Sequence, residues 1–144
     1  MGQNENKFGN WEELPNGGRR YWLDVVGRLG WRARYLKEAD KQKATVRFWQ
    51  EIYDDQGKLV EIHEKYPVDK GHQKASAARM TITRQTVADQ VAAYLQHTLS
   101  RAQLVDWSER AMMEGEFAEQ DMDALRTAVA RLGVADVRTF KIVA

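Results

Sequence analysis

Cysteine is absent from the 144-residue chain, proline occurs only twice, and neither sign of charge dominates, with 22 Lys plus Arg against 21 Asp plus Glu. Without thiols there is no disulfide framework, thiolate zinc site, iron–sulfur cluster or cysteine nucleophile, a composition that suits a reducing cytoplasm. A formal net charge of +1 argues against generic binding to a polyanion, which needs a clear basic excess on some surface. No window approaches the ~18 consecutive apolar residues of a membrane-spanning helix. The polar opening MGQNENKFGN also lacks the basic and apolar blocks of a signal peptide. The expectation is a mature cytoplasmic chain with no membrane partner. Gly-rich phosphate loops, nucleophile elbows, His-Glu-x-x-His motifs and calcium loops are missing too. Any chemistry would rest on three histidines, lysine, arginine and carboxylates, with no cofactor.

What is present divides into two halves. Before Met80 there are 15 basic and 12 acidic residues, net +3; from Met80 onward there are 7 and 9, net −2. Ten of the fourteen aromatic residues fall in the first half. There, residues 20–26, 31–38, 45–53 and 59–66 have strand-like composition and are separated by turn-forming stretches such as 27–30 and 54–57. The order predicts a four-stranded antiparallel meander. Alternation sets Val46, Phe48, Gln50 and Ile52 on one face of the third strand, with Arg47, Trp49, Glu51 and Tyr53 on the other. In the fourth, Val60 and Ile62 oppose Glu61, His63 and Lys65. The apolar side needs a cover from elsewhere; the aromatic and charged side tolerates water.

Helical spacing marks the second half: Val87, Val91, Tyr94 and Leu95; Leu104, Trp107, Ala111 and Met112; and Met122, Leu125, Val129 and Leu132. Ser100 opens a capping-box pattern, and Gly133 stands where a helix end would take a left-handed residue. The small, polar stretch 71–79 is the linker candidate. The predicted fold class is α+β: a meander over 1–74, a linker at 75–79, and a three-helix segment over 80–144 that packs on the sheet or forms a separate module.

Two resemblances follow from particular residues. Gly17 to Trp22, Arg32 to Glu38, Phe48 to Asp54 and the closing Val60-Glu-Ile-His-Glu-Lys-Tyr-Pro67 resemble small strand-rich bacterial proteins and, more remotely, TumE-like toxin components. Leu104-Val-Asp-Trp-Ser-Glu109 followed by Met112-Met-Glu-Gly-Glu-Phe117 resembles short helical proteins of antitoxin type encoded beside such companions. Members of the group that this half resembles continue past the match to residues 135–138, a point at which this chain departs from the resemblance. Together the resemblances imply a fusion of neighbouring modules. The helical half would then act as a tethered mask at high effective concentration.

Three sets of residues are candidates for function. His63, His72 and Lys65, with Arg47 assisting, have the side chains of a metal-independent ribonuclease: an imidazole base, a second acid and a cation for the developing phosphorane charge. No metal is expected, since His63, Asp69 and His72 lack a ligand spacing. Arg32, Arg34, Arg47, Trp49 and Tyr53 would form a platform for single-stranded RNA, or equally an ordinary cross-strand packing of arginine on aromatic rings. Trp107, Met112, Met113 and Phe117 would anchor a protein partner, or build a helical core. DNA reading is disfavoured because Asp106, Glu109 and Glu114 sit on the would-be recognition helix. The leading expectation is a non-enzymatic macromolecular-binding protein of a toxin–antitoxin-like or defence-associated system. A ribonuclease toxin and a structural subunit of a larger protein or RNA–protein assembly are the alternatives.

Overall fold

Two aspartate-centred turns of the same design organise the middle of the first half in the computed structural model, which describes residues 2–67 and 80–137. Asp40 Oδ1 accepts from the amides of Gln42 and Ala44, and Asp54 Oδ1 accepts from those of Gln56 and Lys58, each at 2.9 Å. The left-handed position is taken by Gly57 in the second turn (φ 78°) and by Lys43 in the first (φ 70°). These turns join β3 (Arg32–Ala39), β4 (Thr45–Tyr53) and β5 (Leu59–Tyr66). With β2 (Arg19–Val26) and β1 (Asn10–Glu13) they form one antiparallel sheet in the order β1-β2-β3-β4-β5. The fold class is α+β, with five strands rather than four. The extra strand, Asn-Trp-Glu-Glu, carries one apolar residue in four and so has no alternation to betray it; pairing with β2 makes it a strand.

The chain divides into two compact units, Met1–Ser76 and Ala77–Ala144. The expected linker 75–79, His72 and the terminal element beyond residue 137 lie outside the described residues.

In the first unit a short helix, α1 (Gln3–Phe8), ends at a left-handed Gly9 and packs against β2. Phe8 is fully buried, with its ring 6.0 Å from that of Tyr21. The sheet therefore draws part of its cover from the polar N-terminal stretch, which carries no helical periodicity. Glu5, 9% exposed, fastens this helix by accepting from Tyr21 Oη at 2.7 Å and from Arg19 Nη1 at 2.8 Å. Burial pushes the Glu5 carboxyl up, but the bonds from Tyr21, its own backbone and Arg19 outweigh it, so the net direction is down from 4.5. Burial first, then the bond to Glu5, push the Tyr21 phenol up to about 12. A carboxyl with a depressed folded pKa stabilises above its unfolded value and loses that contribution as pH falls through the folded one. Glu5→Gln is accordingly expected to destabilise the first unit by about 1–3 kcal/mol at neutral pH. In urea titrations at stepped pH, the gap between wild type and variant should close below pH 4.5. A gap independent of pH would refute the charged role.

Register decides the faces. On one side lie Tyr21, Leu23 and Val25 of β2, then Ala33, Tyr35 and Lys37 of β3, then Phe48, Gln50 and Ile52 of β4. Tyr35, Phe48, Gln50 and Ile52 are almost wholly buried, as the alternation of β4 predicts. The expectation for Val46, Val60 and Ile62 is reversed: they are 50%, 39% and 50% exposed. Val46 is the extra residue of a bulge between β3 and β4. Val60 has no opposite residue either, since Leu59 faces Tyr53 and Glu61 faces Ile52. One inserted residue exchanges every following side chain between faces, which turns Ile62 toward the side of Glu51 and His63 toward that of Gln50. A second register shift, at Lys65 between Glu64 and Tyr66, restores the original phase at Tyr66.

In the second unit, β6 (Thr81–Ile82) pairs in parallel with β7 (Glu116–Phe117), and between them run α2 (Arg84–Leu95) and α3 (Arg101–Glu114). The α4 helix (Met122–Leu132) follows. Both α2 and α3 start with complete capping boxes, at Thr83 with Thr86 and at Ser100 with Gln103, the second as the sequence indicates. The end of α4 differs from expectation: Gly133 is right-handed at φ −70°, and in the described part of this unit a left-handed residue follows α2 instead, at His97 (φ 64°). Leu104, Ala111, Met112, Ile82, Phe117, Leu125 and Val129 form the core of this unit. Two-residue strands are too short for any periodic signal, so β6 and β7 were not foreseeable.

Candidate functional site

The second face of the sheet brings together all five residues of the proposed platform. Register places Arg20, Trp22, Asp24 and Val26 of β2 on it, with Arg32, Arg34, Leu36 and Glu38 of β3. Arg47, Trp49, Glu51 and Tyr53 of β4 join them, with Leu59, Ile62 and Glu64 of β5. Glu12 of β1 completes the side opposite Arg20.

Its chemistry is organised in rows that cross the strands. Glu12, Arg20, Glu38, Arg47 and Glu64 alternate in sign across all five strands. Arg20 bonds Glu12 at 2.9 Å and Glu38 at 2.7 Å, Glu38 stands opposite Arg47, and Arg47 grips both oxygens of Glu64. Beneath this ladder Trp22, Leu36 and Trp49 make an apolar row. Trp49 is only 3% exposed, and the Arg47 guanidinium lies 3.7 Å from its ring centroid. In the next row Arg34 holds Asp24 with two bonds, at 2.7 and 3.1 Å, and stands opposite Glu51. Glu51 accepts from Trp49 Nε1 at 3.0 Å and from Tyr53 Oη at 2.6 Å. The last row runs Val26, Arg32, Tyr53, Leu59, with Arg32 stacked 4.6 Å from the Tyr53 ring centroid.

Proton affinities follow from these pairs. Hydrogen bonds to Glu38, Asp24 and Glu64 raise the guanidiniums of Arg20, Arg34 and Arg47 above their ordinary value. The bonds from Arg47 hold Glu64 below the carboxylate range, and the bond to Glu51 raises the Tyr53 phenol. The face thus carries four guanidiniums, Arg20, Arg32, Arg34 and Arg47, against five carboxylates, Glu12, Asp24, Glu38, Glu51 and Glu64. Arginine on aromatic rings is present as predicted, but each positive group except Arg32 is met by a carboxylate of the same face. Sequence alternation yields the platform residues but not the acids that meet them, because only strand register shows which acid meets which base.

The catalytic candidates separate. His63 lies on the opposite face, beside Gln50, with Nε2 2.6 Å from Glu61 Oε2. Lys65 occupies the second bulge of β5, so it does not continue the row of His63. His72 is outside the described residues. Among the described residues no group of three His, Asp or Glu is placed to hold a metal ion, and no helix is long and apolar enough to cross a membrane.

The four partner anchors also divide. Met112 and Phe117 are buried, at 0% and 3%, whereas Trp107 and Met113 are half-buried. Both pack as core, Met112 in α3 as its helical spacing allows and Phe117 in the strand β7 rather than in a helix.

Comparison of the chain with protein-family models, curated proteins and solved structures returns no match.

Proposed function

We propose that this chain is a non-enzymatic protein-binding module of a bacterial toxin–antitoxin-like or defence-associated system, in which the helical unit masks the strand-rich unit. The observation that carries the protein-binding part is the charge balance of the arginine–aromatic face. Nucleic-acid platforms gain affinity from uncompensated positive charge and the release of counterions. A face with five carboxylates against four guanidiniums has no net positive charge from which to draw such affinity. Alternating charge around the half-buried Trp22 and Tyr53 instead suits a protein surface, where complementary charges set specificity and aromatic residues supply contact energy. The masking part is supported by the opposite net charges of the two halves and by the covalent tether, which raises effective concentration.

A protease site placed between Ala75 and Ser76 of the full chain tests masking directly. After cleavage the halves should co-elute in size exclusion at micromolar protein. Separate elution would overturn the mask. In cells, residues 1–74 expressed alone should arrest growth and residues 80–144 supplied in trans should relieve it; absence of arrest removes the toxin reading.

One observation favours a second reading, a ribonuclease. Glu61 at 2.6 Å can orient the His63 imidazole as a general base. Labelled RNA incubated with wild type and with His63→Ala decides it, because cleavage that survives the substitution excludes His63.

A further inference from the structure

Among the four guanidiniums of the arginine–aromatic face, Arg32 stands apart. Arg20, Arg34 and Arg47 are each bonded to a carboxylate. Arg32 stacks on Tyr53, its Nε is shielded from solvent, and that Nε has no hydrogen-bond partner among the described residues. The carboxylates of the adjacent row are already committed, Asp24 to Arg34 and Glu51 to Trp49 and Tyr53. Around Arg32 the surface turns apolar and open. Val26 opposite it is 67% exposed, Leu59 at the far end of its row 40%, and Ile62 in the adjoining row 50%. Among the described residues Arg32 is the guanidinium of this face with no carboxylate partner, so its charge is left for an incoming acid. A planar guanidinium already held on a ring loses little freedom when it grips a carboxylate.

We propose that this corner of the sheet, Arg32 framed by Val26, Tyr53, Leu59 and Ile62, docks a partner-protein segment in which an acidic residue is flanked by aliphatic ones. The inference rests on the protein-binding reading above and deepens it by naming the partner's chemistry. The carboxylate pairs with Arg32, and the flanking aliphatic side chains cover Val26, Leu59 and Ile62. Two features favour this occupant over RNA. The exposed neighbours of Arg32 are aliphatic and offer no stacking platform beyond Tyr53, which Arg32 itself occupies. The carboxylates of the adjacent row, and those of the charged ladder beyond the apolar row, would repel a phosphate chain running across the face.

The test is selection of a random-peptide display library on the full-length protein, followed by fluorescence titration with the enriched peptide. Enrichment of Asp or Glu between Leu, Ile, Val or Phe is expected. Arg32→Gln should weaken the selected peptide by roughly tenfold or more, the loss of one charge-assisted bidentate contact. Ile62→Asp, which leaves Arg32 in place, should weaken it comparably by putting a like charge beside the peptide's acid. Both positions are at least partly exposed, so unchanged circular dichroism should accompany the loss. If no peptide of any kind is enriched, the protein-binding reading falls and this inference with it. Enriched peptides that are basic, or that bind both variants as well as wild type, overturn the docking site alone. A parallel titration with labelled oligouridylate separates the remaining possibility: RNA binding abolished by Arg32→Gln, with no acidic enrichment, would assign the corner to phosphate instead.

Discussion

Phe48→Ala is expected to destabilise the sheet unit by about 3–5 kcal/mol, the range for truncating a fully packed aromatic residue. Phe48 lies on an interior strand, is 1% exposed, and has the Tyr35 ring 5.9 Å away. Lys37 and Tyr66 stand opposite it on the neighbouring strands, so no nearby turn is free to collapse into the space. Domain stabilities of roughly 5–15 kcal/mol leave little reserve against such a loss. Tryptophan fluorescence during guanidinium unfolding of the full chain measures it, since Trp11, Trp22, Trp31 and Trp49 all lie in this unit. Val46→Ala provides the contrast. Two positions away and of the same parity in the sequence, Val46 is half exposed on a bulge, and its truncation should stay within about 0.5 kcal/mol. Similar losses from the two substitutions would refute the assigned faces.

Met112→Ala is expected to cost the helical unit about 2–5 kcal/mol. Met112 is fully buried in α3 together with Leu104 and Ala111, which share its helical face. The measurement is thermal unfolding followed by far-ultraviolet circular dichroism, which weights this helix-rich unit. A residue reserved for a partner would instead leave stability unchanged and weaken only binding. An unaltered melting curve for Met112→Ala would therefore restore it as an anchor and contradict its burial.

These predictions show where sequence and structure part. The phase of β4 was legible because Phe48, Gln50 and Ile52 alternate without interruption between two turn signals. Asp54 and Gly57 announce the turn that follows, by side-chain acceptance and a left-handed φ of 78°. The Ser100 cap was legible for the same local reason, since acceptor and donor lie three residues apart. Val60 and Ile62 were not. Their phase depends on whether the strand keeps step with its neighbour, and a bulge is a property of a pair of strands that alternation in one cannot express. The helix α1 was hidden because Glu5 and Lys7 occupy buried positions, against the usual placement of charge. The candidate face shows the same limit. Arg32, Arg34, Arg47, Trp49 and Tyr53 share one side as alternation requires, but which arginine lacks a carboxylate among the described residues follows from register alone.

The chain by itself determined the α+β class, the change in composition near Met80, the absence of thiol chemistry, and the clustering of arginine with aromatic rings. Each depends on residue type and short-range spacing, which act within a few positions along the chain. Tertiary structure decided the fifth strand, the polar helix that covers part of the sheet, the withdrawal of Met112 and Phe117 into a core, and the neutralisation of the arginine face. These depend on which strands pair and in what phase. A shift of one residue moves a side chain from interior to solvent and a guanidinium from one carboxylate to none.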